Sequence, residues 1–310
     1  MQAGDDSGRG EGRGGGGASG VSPDEQLAGM GAQVFNSGTN HGEALPWDFL
    51  KGIDAIKEEI EDTLMFQLTN PTSYADVIAG TRGAGGHTNR PRAVLFEGPP
   101  GCGKTSMARM MASRAQLAMV YLPLEAVVSK WYGEAERRLA KALDLTAQLA
   151  SSNGGKGVLL FLDEIEAIAM SRDSDMHEAS RRLLSVLLRS IDGVQSKEGV
   201  ILVGATNRVG DIDAALRSRF DLAITFGLPS LETREQIVTA FTHHLSTAQR
   251  RQLAQSLEGF SGRNIKEVCE DTERKWAARI IRGQEEKKSL PPLSAYISAT
   301  LARAESGLQR

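Results

Sequence analysis

The most specific chemistry in the chain lies in eight consecutive residues, Gly98, Pro99, Pro100, Gly101, Cys102, Gly103, Lys104 and Thr105, which fit G-x-x-x-x-G-K-[ST]. Glycines at this spacing let backbone N–H groups curl around phosphate oxygens, and a helix opening at the lysine points its positive dipole end at the same anion. Lys104 would reach the β- and γ-phosphates of a nucleotide, and the Thr105 hydroxyl, followed by Ser106, would hold Mg²⁺. The bland alternative is a glycine-rich turn. Context argues against it: the apolar run Ala93–Phe96 precedes the motif and the helical stretch Ser106–Ala115 follows it, the strand–loop–helix order that a phosphate loop requires.

Three further clusters could complete a reaction centre. Val158–Leu162 is a continuous apolar run, as a buried parallel strand requires, and it ends in Asp163-Glu164. Asp163 suits Mg²⁺ or its water shell, and Glu164 suits polarising an attacking water. An acidic pair ending a strand is otherwise a solvated edge. Ile201–Val203 leads to Asn207, whose amide could orient that water, although an Asn after a strand is by itself a turn former. In Asp211–Asp221, Arg217 and Arg219 could stabilise charge on a transferring phosphoryl group, and such an arginine can come from a neighbouring subunit. The competing reading is two exposed surface arginines.

These residues need a scaffold, and the apolar pattern supplies one. Short apolar runs at Ala93–Phe96, Met119–Leu122, Val158–Leu162, Ile201–Val203 and Leu222–Phe226 alternate with helical stretches such as Glu134–Leu149 and Glu178–Ile191. That alternation predicts a parallel sheet covered on both faces. Upstream, Ile53–Leu68 has helical spacing, with Lys57 and Glu61 as an i,i+4 pair, and Gly80–Arg90 reads as an exposed glycine-rich loop. After Pro229 the strands stop, and helices are predicted at Glu232–Leu245, Ala248–Leu257, Ser261–Arg282 and Ser294–Ala304. The expected organisation is a disordered glycine-rich tail over residues 1–42, an α/β nucleotide-binding domain over 43–229 and a helical lid over 230–310.

Composition narrows the function classes. Among 310 residues, 36 Lys+Arg face 39 Asp+Glu, so no global basic field draws the chain to nucleic acid or an anionic membrane. No apolar run is long enough to span a bilayer, and no signal-peptide core opens the sequence. A soluble, intracellular and cytoplasmic protein is expected. Cys102 and Cys269 cannot make a disulfide framework, and His177, His243 and His244 lack partners at metal-ligand spacing. A helix N-terminus beside Cys102 would lower its thiol pKa.

Taken together, Gly98–Thr105, Leu160–Glu164, Ala205–Arg208 and Arg219–Asp221 resemble the Walker A, Walker B, sensor 1 and second-region-of-homology motifs of the AAA ATPase family. The resemblance is colinear from Pro46 to Ala304 and includes the lead-in Pro46–Gly52 and the lid signature Gly259-Phe-Ser-Gly262. It implies a P-loop NTPase fold: a five-stranded parallel sheet sandwiched by helices, followed by a small all-α lid. It also implies ATP and Mg²⁺ as ligands, Asn207 as sensor 1, and a homo-oligomeric, hexameric ring in which Arg219, with Arg217, acts on a neighbour's nucleotide.

Two departures stand out. Relatives carry a longer run between the two arginines, whereas Arg217 lies only two residues before Arg219, which leaves open which of them does more. Arg263 stands where close relatives have alanine. A cation in a first helical turn opposes the helix dipole, so either it is a sensor 2 reaching the nucleotide or it is a solvated arginine.

Ser129–Glu134 resembles pore loop 1 of the katanin, spastin and vacuolar-sorting group, with Trp131, flanked by Lys130 and Tyr132, as the residue that grips a polypeptide; a Trp-Tyr pair is otherwise core packing. The activity implied is ATP-driven remodelling, unfolding or disassembly of a protein client by threading, without direct nucleic-acid or membrane binding. A nucleic-acid motor on the same fold is disfavoured by the aromatic loop. An ATP-binding scaffold is disfavoured by Glu164, Asn207 and Arg219.

Overall fold

Why the apolar runs are continuous rather than alternating is visible in how the strands sort their side chains. In the computed structural model, which describes residues 22–35, 45–82, 91–125, 127, 134–152, 157–169, 177–194 and 199–308, the six strands are β1 Gln33–Phe35, β2 Ala93–Glu97, β3 Ala118–Pro123, β4 Val158–Asp163, β5 Val200–Thr206 and β6 Leu222–Thr225. They form one sheet in the order β1-β3-β4-β5-β2-β6. Leu95, Val120, Leu160 and Leu202 face the helices Ala135–Ser152 and His177–Val194 on one side. Their alternates Phe96, Met119, Phe161 and Val203 face Met107 and Met111 of the helix Lys104–Arg114 on the other. A strand buried on both faces has no polar phase.

All pairings from β3 to β6 are parallel, as expected for five strands. The sequence reading of residues 1–42 as a disordered tail is corrected over 22–35, while residues 1–21 and 36–42 lie outside the described residues. Ser22 caps the helix Pro23–Gly29 in a reciprocal capping box with Glu25, and Leu27 is fully buried in the core. β1 then pairs antiparallel with β3, Gln33 opposite Tyr121 and Phe35 opposite Met119, covering an edge that would otherwise be open. The glycine-rich composition upstream masked a short segment that carries its own cap and its own buried leucine.

Two smaller expectations are also revised. Lys57 does not pair with Glu61: its Nζ lies 3.6 Å from Asp54, and Glu61 bonds Arg114 instead. The Glu61 N–H still bonds the Lys57 carbonyl, so the spacing is that of an α-helix and the two side chains are taken by other partners; the π-turn Glu61–Met65 begins only there. Gly80 to Arg82 are the last turn of the helix Pro71–Arg82, not loop. Residues 83–90 lie outside the described residues.

The C-terminal part is helical throughout, at Leu231–Phe241, Thr247–Ser256, Gly262–Ile281 and Leu293–Leu308. Ser230, Ser246 and Ser261 cap the first three by accepting from Thr233, Gln249 and Asn264 N–H groups. Val238, Leu253, Ile265, Val268, Cys269 and Tyr296 give these helices a core of their own.

Candidate nucleotide site

The loop Gly98–Thr105 leaves the C-terminal end of β2, where open parallel sheets bind ligands. Its shape depends on glycine. At Gly98 (φ 142°) a Cβ would collide with the Phe226 carbonyl, and at Gly101 (φ 78°) it would lie 2.6 Å from Ser261 Oγ. Gly103, also at positive φ, is the N-cap of the helix Lys104–Arg114 and brings no side chain to its free N–H groups. Uncapped donors at a helix start, opening on a cradle without Cβ atoms, fit a phosphate.

Lys104 is only 6% exposed. Its Nζ donates to Gly98 O at 2.6 Å, Pro99 O at 2.9 Å and Asn207 Oδ1 at 2.8 Å. Burial pushes its pKa down, while Asp163 and Glu166 oppose that. The lysine therefore joins the loop to Asn207, which follows β5, the strand paired with β2.

Asp163 ends β4. Thr105 Oγ1 is 3.5 Å from its Oδ2 and the Tyr121 hydroxyl donates to the same oxygen at 3.1 Å. A hydroxyl facing a carboxylate is the hard-oxygen pair that suits Mg²⁺. Burial raises the Asp163 pKa, and the Tyr121 bond opposes the rise. Tyr121 itself is pushed up to about 12 by burial and by Asp163. Glu164 has a left-handed backbone, φ 57°, which is uncommon for a residue with a Cβ and recurs at functional sites. Its N–H donates to Asp163 Oδ1 at 3.1 Å. A hydrogen bond with Glu125, then burial, raises its carboxyl pKa to about 7.

Glu166 is 8% exposed. Its Oε1 accepts the Asn207 N–H at 3.0 Å, and its Oε2 is buried with no hydrogen-bond partner. Tyr121, Glu125 and Glu166 were not singled out from the sequence. Only Glu166, three positions past Asp163, offered a local signal.

The remaining expected residues divide. Arg263 N donates to Gly101 O at 3.1 Å, so the lid touches the phosphate loop where Arg263 begins. Its charge adds slightly to the lowering at Lys104, which burial dominates, and slightly opposes the rise at Tyr121. Arg217 and Arg219 are bonded elsewhere, Arg217 Nη2 to Glu97 Oε2 at 3.2 Å and Arg219 Nε to Asp192 Oδ1 at 2.9 Å. Cys102 is half-buried, and burial raises its thiol pKa, against the lowering expected from the helix terminus. Lys130, Trp131 and Tyr132 lie outside the described residues.

Comparison with known proteins agrees with this geometry. The profile of the "ATPase family associated with various cellular activities (AAA)" matches residues 94–228. The outer mitochondrial transmembrane helix translocase of Danio rerio is 31% identical over 247 residues, covering 78% of this chain and 61% of that protein. Spastin of Dictyostelium discoideum is 31% identical over 244 residues, 77% of this chain and 35% of that one. Human fidgetin-like protein 1 is 29% identical over 77% of this chain and 34% of its own length. The chain thus spans less than two thirds of the length of each of these relatives, and about a third of two of them. The crystal structure of the FIGL-1 AAA domain with ADP shares the fold, with a TM-score of 0.69 at 24% identity over 91% of this chain and 90% of that one. With the Walker-type loop, the acidic strand end and the asparagine brought together in one sheet, residues 94–228 are a domain of the AAA family of ATPases.

Proposed function

We propose that this chain hydrolyses Mg²⁺-ATP within a hexameric ring of like subunits and uses the cycle to remodel, unfold or disassemble a protein client. The observation that carries the reading is the continuous link from Glu166 through Asn207 and Lys104 to the loop carbonyls of Gly98 and Pro99. It ties sensor, lysine and loop into one unit. In this reading Gly98–Ser106 cradle the phosphates, and Thr105 and Asp163 hold Mg²⁺, which when bound polarises phosphoryl oxygens. Glu164 takes the proton from water, a task its carboxyl pKa of about 7 suits. Asn207 orients that water, and arginine from the Arg217–Arg219 segment acts from the adjacent subunit.

The lid, residues 230–310, closes over the nucleotide-binding domain, residues 43–229. The separate lid core and the Arg263–Gly101 contact support that division. Arg263 serves as a sensor 2 within its own subunit. Arg263→Ala should then lower nucleotide affinity or turnover by about tenfold, the scale of one charge-assisted contact; unchanged values for both would remove it from the site. A cytoplasmic location belongs to the same proposal and rests on two free cysteines. Among the described residues no helix is long and apolar enough to cross a membrane.

The client is gripped by Trp131 with Lys130 and Tyr132. The test is Trp131→Ala, read in two assays: basal ATP turnover, and unfolding of a fluorescent protein bearing an unstructured tail. Loss of unfolding with basal turnover kept within about twofold is expected. Loss of both together would assign Trp131 to packing instead.

A further inference from the structure

One short segment holds both ends of β2, the strand that delivers the phosphate loop. At its start, Asp221 Oδ2 accepts the N–H groups of Arg92 at 2.8 Å and Ala93 at 3.0 Å, and Asp221 N donates to Ala93 O at 2.8 Å. At its end, the Glu97 carboxylate takes Arg217 Nη2 on one oxygen at 3.2 Å and the Thr225 hydroxyl on the other at 2.9 Å. Glu97 is 8% exposed and stands directly before Gly98, whose backbone is pressed against the Phe226 carbonyl.

A carboxylate there is expensive. It is buried, and it sits at the root of a loop built to receive anions, so its charge needs a cation held in place. Arg217 supplies that cation. If Arg217 swung toward a neighbouring subunit, Glu97 would be left buried with only a hydroxyl for company. Arg219 has no such obligation. It bonds both oxygens of Asp192, at 2.9 and 3.1 Å, and the Ala215 carbonyl at 3.0 Å. Asp192, however, is half-exposed on the helix His177–Val194, so water can take over that carboxylate when Arg219 leaves, as it cannot for Glu97.

We infer that the two arginines divide the work: Arg217 is a positioning residue for its own subunit's phosphate loop, acting through Glu97, and Arg219 alone reaches the neighbour's nucleotide. Because Arg219 lies between Arg217 and Asp221, it is carried on a segment fastened to both ends of the strand behind its own loop. Strain or shift at one nucleotide is thereby passed to the arginine presented to the next. This division rests on the shared-site reading above for Arg219, but the Glu97–Arg217 pairing does not.

The test uses mixed assemblies of the full chain. Arg217→Ala or Arg219→Ala subunits, each with Glu164 intact, are titrated with Glu164→Gln subunits that keep both arginines but do not turn over. Activity of the Arg219→Ala subunits should rise about tenfold or more as donors are added, the scale expected for regaining a finger in trans. Arg217→Ala subunits should gain nothing, because their lesion is in their own loop. Equal rescue of both would overturn the division.

A second measurement does not depend on a ring. ADP affinity is taken for Glu97→Gln, Arg217→Met and the double variant, which removes both charges together. Each single change should weaken ADP by about tenfold, and the double should be no worse than the weaker single, as for contacting charges. Losses that add would overturn the role of Arg217. Failure of donors to rescue Arg219→Ala, with the cycle still non-additive, would instead overturn the shared site.

Discussion

Asn207 is held from two sides, its N–H by Glu166 and its amide oxygen by Lys104. A side chain meant to orient one water needs such fixing, since small misplacement costs rate steeply. Glu166→Ala should therefore lower turnover by about tenfold or more with little change in nucleotide affinity, whereas Glu166→Gln keeps an acceptor oxygen and should recover most of it. Steady-state kinetics with Mg²⁺-ATP separate the two, and equal loss in both variants would show that the acceptor is not what matters. At this scale the sequence made Lys104, Thr105, Asp163, Glu164 and Asn207 legible, because each is tied to a motif on a strand end. Tyr121 and Glu125 were not legible. They reach Asp163 and Glu164 only because β3 lies beside β4, which local spacing does not encode. Glu97 was hidden by its position between an apolar run and the phosphate loop, where a single charge reads as the solvated end of a strand.

At the scale of elements, the strands behind the site were readable from runs of apolar residues; the structure carries three of them one position further, to Glu97, Pro123 and Asp163, and one three positions further, to Thr206, while the last ends one residue early at Thr225. Apart from Ala205, the residues added at these C-terminal ends are polar or turn-forming, so hydrophobicity stops short of where pairing ends. The segment Ser22–Phe35 was lost to composition, since a glycine-rich stretch dominates the window around it. Its hold on the sheet runs through Leu27, which is fully buried beside Ala32 against the same core as Leu95 and Val120. Leu27→Ala should cost about 2–5 kcal/mol, as buried leucine truncations do, visible as a lower midpoint in urea unfolding. A change under about 0.5 kcal/mol would mean that the β1 segment is not part of the cooperative unit. The π-turn at Glu61–Met65 has no sequence signature beyond the apolar spacing it interrupts, and the Lys57–Glu61 pair was a reasonable expectation undone by other partners, Asp54 for Lys57 and Arg114 for Glu61.

At the scale of the whole molecule, the lid and the sheet meet at the phosphate loop, where Gly101 packs against Ser261 and Arg263. In the proposed cycle, nucleotide sits at that junction. Away from that junction, β1 covers the sheet edge at β3 and the arginine segment grips β2 a second time. All of it presupposes that ATP is hydrolysed at this one site with Glu164 taking the proton. The most direct measurement is Mg²⁺-ATP turnover and ATP binding for Glu164→Gln beside the unaltered chain. Turnover should fall by about a hundredfold or more, the scale of losing a general base, while ATP affinity stays within about threefold. Turnover that survives the substitution would contradict the assignment of the site.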